Sequence, residues 1–120
     1  MAEIKSLPPS IAVYTFRDKI METDTYFQVL RLTDSFYLWI GKSNNCGDLS
    51  VAMATIGNTT SATNLFGGSE SHSVVLAERL CKKTGKQVFV GGDLQNFDQL
   101  MYPLLEKRII QELQTNADKF

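Results

Sequence analysis

Apolar and polar residues alternate with a period of two through the first half of the chain, and the period lengthens to three and four in the second half. Residues 11–16 alternate and are rich in β-branched and aromatic side chains, which predicts a strand. Residues 26–33 (YFQVLRLT) and 36–40 (FYLWI) predict two more, joined as a hairpin through Asp34-Ser35. The polar stretch 42–48 reads as a loop by its turn chemistry. Residues 49–56 (LSVAMATI) predict a fourth strand, broken by Gly57-Asn58-Thr59-Thr60, and residues 62–66 a short fifth that ends at Gly67-Gly68.

The helical period begins after that. Ser71 can cap a helix running to about Lys83, with Val74, Ala77, Leu80 and Cys81 as its apolar stripe and Gly85 as its C-terminal cap. Residues 86–90 (KQVFV) predict a sixth strand. A second helix starts near Asn96 or Asp98 and runs to about Gln114, with Met101, Leu105, Ile109 and Leu113 at steps of four. Pro103 should kink it or mark the true start of its regular part. The pattern is that of an α+β domain over residues 1–120: a roughly six-stranded, mainly antiparallel sheet with two helices on one face.

The hairpin strands have no polar face. Phe27, Val29, Arg31, Phe36, Leu38 and Ile40 fall on one side; Leu30, Leu32, Tyr37 and Trp39 fall on the other. Two helices cannot cover both sides of such a sheet, so one face is expected to meet a partner chain. Arginine is common at interfaces and costly in a dry core, which favours the face with Arg31. That choice makes Phe27, Val29, Arg31, Phe36, Leu38 and Ile40 the interface candidates. Tyr37 and Trp39, also favoured at interfaces, argue for the opposite face.

Composition narrows the function classes. The 120 residues are 43% hydrophobic and carry a net charge of −1, without the basic excess of a nucleic-acid binder. No apolar run reaches bilayer length, and the first residues lack the apolar core of a signal peptide. Two cysteines, Cys46 and Cys81, form no metal-ligand spacing and do not suggest a disulfide scaffold. The Asn58-Thr59-Thr60 sequon is most simply a chance match. Cytoplasm or nucleus is the expected compartment, with no cofactor and no metal.

Catalytic signals are thin. His72 is the only histidine and follows Ser71 directly, so the two point apart on a helix. Gly67-Gly68-Ser69-Glu70-Ser71 lacks the second glycine of a nucleophile elbow and any following triad histidine. The carboxylates Asp93, Asp98, Glu106 and Glu112 show no acid/base spacing. Lys83-Thr84-Gly85 has no S-x-x-K companion. Arg79, Lys82, Lys83 and Lys86 form a local basic patch suited to a solvated helix end or to contact with an acidic protein surface.

Several stretches resemble one family, in order along residues 26–120. They are Arg31-Leu32-Thr33-Asp34-Ser35 with Leu38-Trp39-Ile40-Gly41, Leu49 with Val51-Ala52-Met53, Leu76-Ala77-Glu78-Arg79-Leu80, and Lys83-Thr84-Gly85-Lys86-Gln87-Val88-Phe89-Val90. Leu94-Gln95-Asn96 with Asp98, and residues 105–120, complete the match. Together they resemble the proteasome assembly chaperone 4 family. The resemblance implies a non-enzymatic chaperone that pairs, sheet to sheet, with the third proteasome assembly chaperone. The pair would bind α-subunits transiently and promote assembly of the 20S proteasome α-ring. Two other classes stand beside it: a small ligand-binding or hydrolytic domain using the Gly67 to His72 loop, and a homodimeric adaptor with another client.

Overall fold

In the computed structural model of the chain, residues 12–41, 48–55, 59–66, 72–92 and 99–120 are described. They form β1 (Ala12–Ile20), β2 (Thr23–Leu32), β3 (Ser35–Gly41), β4 (Asp48–Thr55), β5 (Thr59–Phe66), α1 (His72–Thr84), β6 (Gln87–Gly92) and α2 (Tyr102–Thr115). The six strands make one sheet in the order β1-β2-β3-β6-β4-β5. Every neighbouring pair is antiparallel except β3 and β6, which run parallel. The fold is α+β, as the change of period predicts.

β6 is inserted between β3 and β4. Its Val88 and Val90 are fully buried on one face, and Phe89 is half-buried on the other. Apolar residues on both faces suit a central strand. α1 carries the chain across β4 to reach this place, since β5 and β6 both run antiparallel to β4.

The β1–β2 and β2–β3 hairpins turn through left-handed residues. Met21 and Glu22 have φ of 49° and 66° between the paired Ile20 and Thr23. This turn carries neither asparagine nor glycine, so the first strand reads as ending at residue 16 when it in fact reaches Ile20. In the second hairpin Leu32 pairs with Ser35 and Asp34 has φ of 62°. The turn is therefore Thr33-Asp34, not Asp34-Ser35, and Arg31 faces Phe36 instead of Leu38. The correction moves each partner by two residues, which leaves every side chain on its expected face.

α1 buries Ser73, Leu76, Ala77, Leu80 and Cys81, while Val74 is only half-buried. Gly85 ends it at φ +71°, donating its N–H to the Cys81 carbonyl at 2.8 Å, the cap its position predicts. α2 begins at Tyr102 after a 3-10 turn, Gln99–Met101, with Pro103 in its first turn. Proline is tolerated there because that N–H has no intrahelical acceptor. The expected starts at Asn96 and Asp98 lie outside the described residues, as does Ile11. The buried face of α2 carries Leu105 and Ile109, with Met101 just before it and Leu113 packed at the margin.

Both helices lie on the face that carries Phe27, Val29, Phe36, Leu38 and Ile40. These five side chains are between 0% and 1% exposed and form one cluster with Leu76, Leu80, Leu105 and Ile109. Phe120 closes the cluster, edge-on to Phe36 at 5.5 Å between ring centroids. The expectation that this face meets a partner is thus corrected: it is the core. Arg31 escapes the core because it sits at the sheet's end, exposed, and donates to the Asp118 carbonyl at 2.7 Å.

Leu38→Asp should abolish cooperative folding of the isolated chain, since a fully buried unpaired carboxylate costs more than about 4 kcal/mol. A native-like thermal melt for this variant would contradict the core assignment. Glu22→Gly should raise stability by about 0.5 kcal/mol, because glycine removes the left-handed penalty at some cost in chain entropy. The midpoint of urea denaturation measures it.

Candidate interaction surface

The opposite sheet face has no helix over it among the described residues. The strand register lines up Val13, Leu30, Tyr37, Phe89, Val51 and Thr63 in one row across all six strands. A second row runs Thr15, Gln28, Trp39, Gly91 and Leu49. Leu30, Tyr37, Trp39, Leu49 and Phe89 are half-buried, while Val13 is 59% and Met53 45% exposed. This is a broad apolar surface with a few polar interruptions, larger in extent than scattered surface hydrophobes.

Two glycines at the end of β6 shape the sheet, Gly91 on this face and Gly92 on the core side. A Cβ at Gly91 would lie 2.8 Å from the Tyr37 hydroxyl and 2.9 Å from the Asp48 carbonyl. The Tyr37 ring therefore lies down across β6 where no side chain stands, which flattens the middle of the face. Gly92, at φ +132°, brings β6 so close to β3 that a Cβ would meet the Ile40 oxygen at 1.8 Å. Only glycine fits that approach.

Two polar clusters hold the edges of the sheet to the helices. At β1, Glu112 of α2 accepts from the Tyr14 hydroxyl, from Arg108 at 2.7 Å and from Asn116 at 2.6 Å. Arg108 also reaches Asp18 at 2.8 Å and lies over the Phe16 ring, 5.0 Å from its centroid; Phe16 stacks on Phe27. This cluster docks β1, whose other side presents Val13 and Thr15 to the bare face. Burial alone would push the Glu112 carboxyl up, but the three donors outweigh it and hold the group below its ordinary value. Its hydrogen bond to Glu112, helped by burial, raises the Tyr14 phenol. Periodicity hides this cluster, since Glu112 reads as one more charged residue on the second helix.

At the other edge, Ser50 and Ser73 share a buried hydrogen bond of 2.6 Å. Asn64 of β5 donates to Ser50 Oγ at 2.9 Å and to Asp48 Oδ1 at 2.8 Å. These groups peg the first turn of α1 onto β4 and β5. Both serines are fully buried, so neither is presented to a substrate.

The candidates for chemistry are dispersed. The His72 ring stacks on Tyr102 at 3.6 Å between centroids. Cys81 is buried, and burial with the nearby Glu78 pushes its thiol up, away from the reactive thiolate. Glu106 pairs with Arg79 at 2.6 Å, far from any acid/base partnership with Glu112. Of the basic group, Lys82 pairs with Glu78 at 3.3 Å and Lys86 donates to the Phe120 main-chain oxygen at 2.6 Å. Cys46, Gly67 to Ser71, Asp93 and Asp98 lie outside the described residues. Among the described residues, no cluster of His, Cys, Asp and Glu could hold a metal ion, and no helix is long and apolar enough to cross a membrane.

A sheet packed by helices on one side and offering apolar side chains on the other defines a class, the α+β interaction domain. The family model described as Proteasome assembly chaperone 4 matches residues 24–94. The chain is 39% identical over 112 residues to proteasome assembly chaperone 4 of Mus musculus, covering 92% of this chain and 91% of that protein. It is 38% identical to the Homo sapiens protein of the same name, with the same coverage. The chain belongs to the proteasome assembly chaperone 4 family. Its fold also matches a chain from the crystal structure of a novel chaperone complex for yeast 20S proteasome assembly. That match has a TM-score of 0.64 at 13% identity, over 86% of this chain and 96% of the other.

Glu112→Gln should lower stability at neutral pH by about 1–2 kcal/mol, through loss of charge-assisted hydrogen bonds. A carboxylate held low in the folded state stabilises above its unfolded value, and that contribution fades as pH falls through the folded value. The gap between parent and variant in urea midpoint should therefore narrow in acid. A gap independent of pH would remove the ionised Glu112 from the account. Tyr14→Phe should cost about 1 kcal/mol, discounted because the phenol is half-exposed.

Proposed function

We propose that this chain is a non-catalytic assembly chaperone that works as half of a heterodimer with the third proteasome assembly chaperone. The pair assists assembly of the 20S proteasome α-ring by binding α-subunits transiently. The observation that carries this reading is the apolar face that no helix of the described residues covers, continuous from Val13 of β1 to Val51 of β4. A second sheet of the same kind can lie flat on it, about 10 Å away, and bury both. The names of the relatives at 39% and 38% identity support the client. The yeast match supports association between proteins of this fold.

The work is done by binding alone. A chaperone that must leave its client needs a contact of modest size on the client side, while the contact between the two chaperones can be large and apolar. The bare face suits the second role.

Light-scattering mass measurement of the chain mixed with the third assembly chaperone should give a 1:1 complex. Leu30→Asp and Val13→Asp should each weaken pairing at least tenfold, while the thermal melt of the isolated chain stays within a few degrees of the parent. Both variants pairing as tightly as the parent would move the interface elsewhere. A chain that stays monomeric beside the third chaperone would overturn the proposal, and a homodimer that refuses exchange would favour an adaptor with another client.

A further inference from the structure

The helix layer, turned away from the bare sheet face, carries a cleft of about 480 Å³ between α1 and the start of α2. Val75, Leu76, Pro103 and Leu105 are its apolar lining, and Gln99 adds a polar group. One end is closed by the stacked rings of His72 and Tyr102, and the other by the Arg79–Glu106 ion pair. Val75 is 44% exposed, so the cleft opens to solvent along its α1 wall.

Beyond the Arg79 end the surface is cationic. Arg79, Lys82 and Lys83 are exposed on successive steps of α1. Glu78 and Glu106 are the carboxylates that pair with Lys82 and Arg79 there. Arg79 and Lys82 each have side chains 59% exposed, and ion pairs that exposed are worth little and exchange readily. The Arg79 guanidinium has five donors, enough to donate to Glu106 and to a second carboxylate.

We infer that this cleft docks an acidic segment of the client protein, which sets one apolar side chain against Val75 and Pro103 and its carboxylates on Arg79 and Lys83. The inference rests on the pairing proposed above, which takes the sheet face and leaves the helix layer for a third protein. An apolar anchor beside a cationic rim fits an acidic peptide. The charge contributes rate and orientation, and the anchor residence.

The probes are three fluorescent ten-residue peptides. One has a central leucine flanked by aspartate and glutamate, a second has lysine in place of every acid, and a third has serine in place of the leucine. Anisotropy of the full chain, alone and paired with the third chaperone, reads binding. The acidic leucine peptide should bind at least tenfold more tightly than the other two, and more weakly at higher salt. It should shift the amide resonances of Val75, Arg79 and Glu106. Arg79→Glu combined with Lys83→Glu, both on the surface, should reduce its affinity at least tenfold without changing the melt. Leu30→Asp should leave it unchanged. Equal binding of acidic and basic peptides, shifts centred on Leu30 and Tyr37, or capture of anionic vesicles without the acidic peptide would each overturn the assignment. If the acidic peptide binds in the cleft while the third chaperone fails to pair, the dimer proposal falls and the cleft assignment stands.

Discussion

Everything in this fold follows from a mismatch of widths. Six strands about 4.8 Å apart span about 24 Å, and two helices of about 10 Å diameter cover that width once. The helices are committed to the face of Phe27, Val29, Phe36, Leu38 and Ile40, which is sealed. The second apolar face has no third layer from the described residues of the chain. Leu30, Tyr37, Trp39 and Phe89 are only half-buried there, and close packing would require a second surface. The described residues thus hold two apolar faces with helices enough for one.

The alternation of the hairpin strands makes the existence of both faces legible in the sequence. A shift of two residues in the β2–β3 register preserves parity, so each side chain keeps its face. What the pattern could not decide was which face the helices choose. Arg31 pointed the wrong way: it lies on the core side by alternation, yet its position at the strand's end lets it leave the core and meet Asp118. A single charged residue near an end says little about the middle of a face. The insertion of β6 was also hidden, because period-two patterning fixes sides and not neighbours. The helix ends, by contrast, were readable from Gly85 and Pro103, where backbone chemistry is local.

The polar groups buried between the sheet and its helices are fastenings. Glu112, Tyr14, Arg108 and Asp18 join the outermost strand on one side to α2, and Asp48, Asn64, Ser50 and Ser73 join the other side to α1. Both clusters are buried at their centres, with Ser50 and Ser73 fully so and Glu112 nearly so. Their hydrogen bonds are met by one another, and the directionality of those bonds fixes how the edge strands lie. The flatness of the bare face is thus set partly from the other side of the sheet.

The place of β6 has a consequence for how the chain reaches this state. β1 to β3 can form a three-stranded unit from neighbouring segments, and β4 with β5 a second hairpin. Neither unit touches the other through its own strands; each is joined only to β6, where Ser35 meets Gln87 and Asp48 meets Gly92. During synthesis both halves emerge before the strand that unites them. The nascent chain therefore passes through a stage with two open sheet edges and apolar faces still unpaired. Non-local pairing of this kind makes for slow closure. A protein that helps others assemble is itself exposed to misassembly until its sixth strand arrives.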